Sequence, residues 1–355
     1  MKILYHHPSP FTVSAGRTIY AGYRNAFIDL GHQFETLTAD SNQDKLFNEY
    51  CPDIFISSLS DFSLKYLDLP CFNRARKRGM LAFMSTHFWT SPFSFGRINE
   101  PNSLKHDKKK VNLIKRDLLG DVFHNPCEQG DLRMAGFEEE TGRKLHTIIL
   151  AADKMTLTGE FADIFKADVS FIGTYLPQKK RFFKEQVFAL RETYDLRLYG
   201  QDWSFGDRLC GCIQKGGQYF NIPLLRSLRK PALSLKDEAK IYASSLVSIN
   251  VHEEFQREYG GDCNERTFKI PLCGGFEITD DVACIRKYFK EGEEIVIAKD
   301  KKDWFEKIDY YVSNPEKRLL IIEAGRKKVL AEHTYHNRVR QILAVYADIK
   351  RNLYV

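Results

Sequence analysis

Lys2-Ile3-Leu4-Tyr5-His6 opens the chain as a short apolar run, and the elements after it decide the fold. A loop rich in Pro, Ser and Gly runs from Pro8 to Gly16. Arg17 to Leu30 then places Ile19, Tyr23, Phe27 and Leu30 at helical spacing, and Gly31 stops the helix. Phe34 to Leu37 returns to strand character. Strand, helix and strand in this order are the βαβ unit of a parallel, doubly wound sheet.

The rhythm continues outward. Asp53-Ile54-Phe55-Ile56 and Leu81 to Met84 read as further buried strands, short and apolar as parallel strands are. The stretch at about 94–143 breaks it. That stretch is polar, carries Lys105, Lys108, Lys109, Lys110, Lys115 and Arg116, and reads as a solvated excursion on the acceptor side. Thr147-Ile148-Ile149-Leu150-Ala151 resumes as a fifth strand. A second series starts at Ala167, with strands at Val169–Gly173, Leu196–Gly200, Leu246–Val251, Phe276–Thr279 and Glu294–Ile297. The tail from Pro315 to Leu353 is helical. The expected architecture is α/β: a first Rossmann-like domain at 1–160, a second at 167–335, and a final helix at 336–355.

Bulk properties agree with this. The 355 residues are too many for one ordinary core and fit two domains; 43% are apolar and 28% charged, as in a globular protein. Aromatics at 13% suit a Phe-rich core. A net charge of +6 is too small for a dedicated nucleic-acid binder and suits a phosphate-bearing ligand. The eight cysteines form no CxxC pair and no metal-ligand spacing, which points to a reducing, cytoplasmic setting. The chain begins in a strand pattern and has no apolar run of about 18 residues, so neither a signal peptide nor a membrane span is expected.

Ligands of open parallel sheets bind in the loops after the strands. In the second half, Gly173-Thr174-Tyr175 leaves a strand, and Lys179-Lys180-Arg181 follows before a helix. Small residues there admit a ligand to the backbone, and Lys180 and Arg181 can hold a diphosphate. Gly200-Gln201-Asp202-Trp203 offers backbone groups and a ring to a nucleobase. Gly260-Gly261-Asp262-Cys263-Asn264-Glu265-Arg266-Thr267-Phe268 is the richest stretch. Asn264 can cap the helix that starts there, and Arg266 adds a charged fork for a diphosphate leaving group.

These stretches resemble the CgeB-like glycosyltransferases of the spore-maturation type, members of the GT-B fold class. The resemblance rests on Ser170-Phe171-Ile172-Gly173, on Leu198-Tyr199-Gly200-Gln201-Asp202-Trp203, and on Asn264-Glu265-Arg266-Thr267-Phe268 with Cys273-Gly274-Gly275-Phe276. Glu332-His333-Thr334-Tyr335 with Arg338 completes it. It covers most of 167–345 and is thinner in the first half, at His7, Arg17-Thr18-Ile19 and Gly22-Tyr23. It implies a nucleotide-sugar donor, a UDP-sugar foremost, on the second domain and an acceptor on the first. It also implies a final helix crossing back and no essential metal or other cofactor. One position departs. Relatives often carry a ribose-binding Glu directly after the Phe of the Arg-x-Phe motif, where this chain has Lys269. An ammonium cannot accept ribose hydroxyls, so Lys269 either reaches a phosphate or a charged sugar, or donor binding is lost.

On the first half, His6 and His7 end the first strand and His87 follows the fourth. His7 and His87 are candidate general bases for an acceptor hydroxyl, as an inverting reaction needs; a retaining one could return the proton to the leaving phosphate. His6, Arg17, Tyr20 and Tyr23 are candidate acceptor contacts. Glycan, protein, small molecule and modified DNA base all remain as acceptors. Two other readings compete: a degenerate GT-B partner protein, favoured by Lys269, and a nucleic-acid base glycosyltransferase, favoured by Lys108-Lys109-Lys110. A nicotinamide enzyme is disfavoured because His6-His7-Pro8-Ser9 replaces the G-x-G-x-x-G fingerprint.

Overall fold

β1 (Lys2–His6) pairs in parallel with β2 (Gln33–Leu37) across the helix Ala15–Asp29. The computed structural model describes residues 1–9, 15–90, 103–176 and 179–352. The first helix ends where Gly31 takes φ +81°. Its N–H bonds Ile28 O and that of His32 bonds Phe27 O, which satisfies two of the carbonyls left open at a helix end.

Four more strands complete the first sheet: β3 (Ile54–Ser58), β4 (Leu81–Ser85), β5 (Val122–Asn125) and β6 (Leu145–Thr147), in the order β2-β1-β3-β4-β5-β6. Two sequence expectations are corrected here. The polar stretch at 94–143 contains β5, whose four residues are all buried. The strand expected at Thr147–Ala151 ends at Thr147. Residues 148–151 are apolar for another reason: Ile148 and Ala151 pack against Tyr335, Val339 and Ile342 of the tail.

The second sheet holds β7 (Ala167–Ile172), β8 (Leu196–Tyr199), β9 (Ser245–Asn250), β10 (Glu277–Asp280) and β11 (Val296–Ala298), in the order β11-β10-β9-β7-β8. Every pairing in both sheets is parallel. Numbered within its own domain, each sheet begins 2-1-3-4-5, so the strand order reverses beside the first strand in both. Helices on both faces of each sheet bury the apolar strands, in four clusters.

The tail joins the halves. The helix Pro315–Glu332 packs on the helix Arg266–Leu272 of the second domain, and the helix Tyr335–Asn352 crosses to pack on Ala15–Asp29 of the first. The break between them is stitched to the segment that joins the two sheets: Ala152 N–H donates to His333 O (3.0 Å) and Tyr335 N–H to Ala152 O (3.0 Å). Asn337 Oδ1 accepts from both the N–H and the hydroxyl of Thr334, which starts the crossing helix. No helix among the described residues is long and apolar enough to cross a membrane.

Candidate functional site

The reversals of strand order lie at β1/β3 and β7/β9, where open parallel sheets form their binding crevice. Val251 is the first residue beyond β9. Its carbonyl accepts from Lys179 Nζ at 2.7 Å and from Arg266 Nη2 at 2.8 Å. Arg266 also donates through Nε to Asn250 Oδ1 (2.9 Å) and through Nη1 to Ile172 O at the end of β7 (3.3 Å). Its guanidinium lies 5.2 Å from the centroid of Phe171. The side chain thus spans the reversal from β7 to β9. A guanidinium has five N–H donors, and these three bonds leave two of them without a partner among the described residues. Burial, followed by the charge of Arg266, pushes the Lys179 ammonium down to about 7.

A buried polar layer fixes this pair. Asn250 donates to Glu277 Oε1 (2.8 Å) and Thr267 Oγ1 (3.1 Å), and its own oxygen accepts from Arg266 and from Asn264 (2.9 Å). Asn264 Oδ1 accepts from the Arg266 N–H at 2.9 Å, but the N-cap of the helix is Glu265, so Asn264 stands one residue before the capping position expected of it. Burial pushes the Glu277 carboxyl up to about 8, against the pull of the Asn250 bond. Beside it, His252 shares bonds with Asp280 Oδ1 (2.6 Å) and Thr267 Oγ1 (3.2 Å), and Asp280 also accepts from Arg257 (3.0 Å). Burial acts to raise the Asp280 carboxyl, but His252 and Arg257 outweigh it and hold it at about 2.

The other donor-side candidates fall into four groups. Gly173, Gly200, Gln201, Asp202 and Trp203 tie two loops together. A Cβ at Gly173 would lie 2.8 Å from Arg266 Nη1, and one at Gly200, which has φ +121°, would lie 2.2 Å from Gly173 O. Trp203 stacks on Tyr175 at 4.6 Å and donates to Gly173 O (3.2 Å). Gln201 donates to Lys230 O, and Asp202 accepts from Arg229. Thr174 and Lys180 are half-buried on the loop after β7, whereas Arg181 is 86% exposed and pairs with Glu185. Thr267 belongs to the buried layer. Lys269 sits elsewhere: its Nζ is buried 2.5 Å from Glu238 Oε1 and 4.0 Å from Glu265 Oε2. Burial acts to lower this ammonium, but the two carboxylates hold it above the usual range. It is committed to carboxylates rather than presented to a phosphate.

On the first domain, His6 is buried, shares a bond with Ser57 Oγ (2.9 Å), and is pushed down to about 3 by burial and then by His7. His7 is half-buried, 5.1 Å from the ring of Tyr20, and burial pushes it down to about 4. His87 is half-buried after β4, next to Phe88, whose ring meets Phe255 of the second domain at 5.8 Å. Tyr20 bonds Thr36 (2.7 Å). Arg17 and Tyr23 belong to interdomain contacts: Arg17 donates to Leu233 O (3.2 Å), and Tyr23 packs 5.0 Å from Tyr335.

Three contacts hold the two sheet edges opposite each other. Glu265 accepts from Thr18 and, at 2.5 Å, from Tyr335. Arg133, fully buried, donates to Asp131 and to Asp262 Oδ1 (2.6 Å) with its guanidinium 4.2 Å from the Phe88 centroid. On the β8 side, Tyr66 donates to Tyr219 O (2.6 Å) and Asn221 to Asp40 (2.8 Å). The sequence named none of these as a clamp; Arg133 and Asp262 are 129 residues apart.

Residues 178–344 match the family described as glycosyl transferase-like. No curated protein matches the chain. Among solved structures, sucrose-phosphate synthase from Thermosynechococcus elongatus is 12% identical with a TM-score of 0.63, covering 99% of this chain and all of that one. An alpha-glucosyltransferase in complex with UDP is 11% identical with a TM-score of 0.66, covering 98% and 99%. HepE from Anabaena, in complex with UDP-glucose, is 13% identical with a TM-score of 0.62, covering 98% and 100%. These likenesses are of fold, and the fold is GT-B.

Proposed function

We propose that the protein is a glycosyltransferase that binds a nucleoside-diphosphate sugar on its second domain and passes the sugar to an acceptor hydroxyl held by the first. One observation carries the reading: Lys179 and Arg266 converge on one carbonyl at the β7/β9 reversal, with donors left over and a buried layer fixing their direction. Diphosphate oxygens would take these donors. As the sugar bond breaks, negative charge grows on the diphosphate, and Arg266 with the protonated form of Lys179 stabilises it more than the ground state. The same pair supplies the charge that a metal supplies in other transferases, so the proposed reaction needs none. A UDP-sugar is the favoured donor, because two of the structures of this fold hold UDP or UDP-glucose. The four stretches that resemble the CgeB-like enzymes support the same assignment, as does the match at 178–344.

The proton of the acceptor hydroxyl would go to His7 or His87 on the facing edge. His7, pushed down to about 4, is neutral at pH 7 and free to accept it, though as a weak base. Eight cysteines, all free thiols, fit a cytoplasmic setting.

The test is thermal stabilisation by UDP, GDP, ADP and TDP, with and without EDTA. A diphosphate at about 100 times its dissociation constant adds roughly 2.7 kcal/mol. Stabilisation by one nucleotide, insensitive to EDTA and lost in both Arg266→Ala and Lys179→Ala, is expected. No response of the parent protein to any nucleotide would overturn the reading in favour of a degenerate partner.

A further inference from the structure

The helix Phe205–Tyr219 is built inside out. Its inward face is Gly211, Gln214 and Gly217, so close to the chain beneath that a Cβ on Gly217 would lie 2.5 Å from Leu225 Cβ. Its apolar side chains face solvent instead: Phe205 is 76% exposed and Leu209 51%, with Phe220 at 68% and Leu224 at 82% just beyond. An apolar stripe at i, i+4 spacing normally faces a core. Here it faces outward, and it continues into the segment beyond the helix.

The same stretch carries the charge of the molecule. Residues 205–236 hold six Lys or Arg against one acidic residue, Asp207, which is net +5 of the chain's +6. Asp207 is taken by Arg229 (2.6 Å). Arg208, Lys215, Lys230 and Lys236 form no ion pair with any described residue. The segment is also firmly held, by Arg229 on Asp202, by Tyr219 O on Tyr66 and by Asn221 on Asp40.

We propose that this face seats the protein on an anionic lipid surface, with the exposed Phe and Leu side chains entering the headgroup boundary and the cations meeting lipid phosphates. Large apolar side chains ringed by unpaired Lys and Arg are the chemistry of interfacial binding. A second copy does not fit: pressing two such faces together would bring like charges into contact. Nucleic acid would use the cations and leave the apolar side chains without a role. The seat lies on the β8 rim of the cleft, where the segment reaches the first domain. The proposal does not rest on sugar transfer, since seating requires neither donor nor acceptor.

The test is flotation of the full-length protein with vesicles of phosphatidylcholine alone and with added phosphatidylglycerol. Binding to the anionic vesicles only, weakening with salt, is expected. Phe205→Ser with Leu224→Ser should cut it by about tenfold or more, and Lys215→Ala and Lys230→Ala by about fivefold each. Melting temperature and nucleotide response should not change, because these side chains are exposed. Absence of flotation would overturn the proposal, and so would flotation that ignores all four substitutions. A dimer by light scattering that Leu224→Ser dissociates would replace it with a second copy. Duplex DNA binding without flotation would replace it with nucleic acid.

Discussion

Lys179 sits where its charge depends on pH near neutrality. Its ammonium is pushed down to about 7 by burial and by Arg266. A diphosphate binds the protonated form, so nucleotide affinity should fall as pH rises above about 7, by up to about tenfold per pH unit. Lys179→Arg keeps its charge throughout and should flatten that fall; titrations between pH 6 and 9 check it. Glu277 makes the opposite kind of prediction, about stability. Unfolded, it loses its proton near 4.5; folded, burial keeps the proton until about 8. The unfolded state therefore gains between those values, and stability declines by up to about 1.4 kcal/mol per pH unit. Glu277→Gln, which resembles the protonated form, should gain in melting temperature over the parent as pH rises from 5 to 8. A flat difference would show that Glu277 is ionised. Arg266 was legible at this scale because a fork beside a helix start has a reason in the sequence itself. Which of Lys179, Lys180 and Arg181 turns inward was not, since the answer depends on where the Val251 carbonyl lies.

The crossing helix illustrates the element scale. Gly22 on the helix Ala15–Asp29 faces the ring of Tyr335, and a Cβ there would fall 2.0 Å from ring atom Cδ2. Tyr335 is buried and also bonds Glu265, so it has no room to yield. Gly22→Ala should therefore cost about 1–3 kcal/mol in urea unfolding. Gly206→Ala, on a helix with open space around the new Cβ, should be neutral or stabilising by up to about 1 kcal/mol. Helix and strand positions were readable from periodicity. The exceptions include β5 and residues 148–151, where burial is set by the tail and by neighbouring strands rather than by a local pattern, and the helices Leu69–Lys77, Lys108–Lys115, Phe205–Tyr219 and Lys301–Ser313, which periodicity did not reveal.

For the whole molecule, the orientation of the two domains depends on a few buried polar contacts. Arg133→Met would leave Asp131 and Asp262 buried without their cation, at a cost of about 3–5 kcal/mol. The expected outcome is a lower melting temperature and a larger radius of gyration by X-ray scattering. Adding Asp131→Asn and Asp262→Asn should recover part of the loss, since the three side chains form one coupled network. An unchanged melting temperature in Arg133→Met would show that the clamp does not hold the domains together.

The sequence by itself determined two βαβ series, the loops that leave their strands, and Arg266 with Asn264 at a helix start. Those features arise from hydrophobic period and from the conformational preferences of single residues, which act within a few positions along the chain. The tertiary structure alone decided the rest. It set Lys269 against Glu238, turned the stripe on Phe205–Tyr219 outward, and joined Arg133 to Asp262. Ion pairing, burial and proton affinity depend on which distant groups meet in space, and no local pattern encodes that meeting.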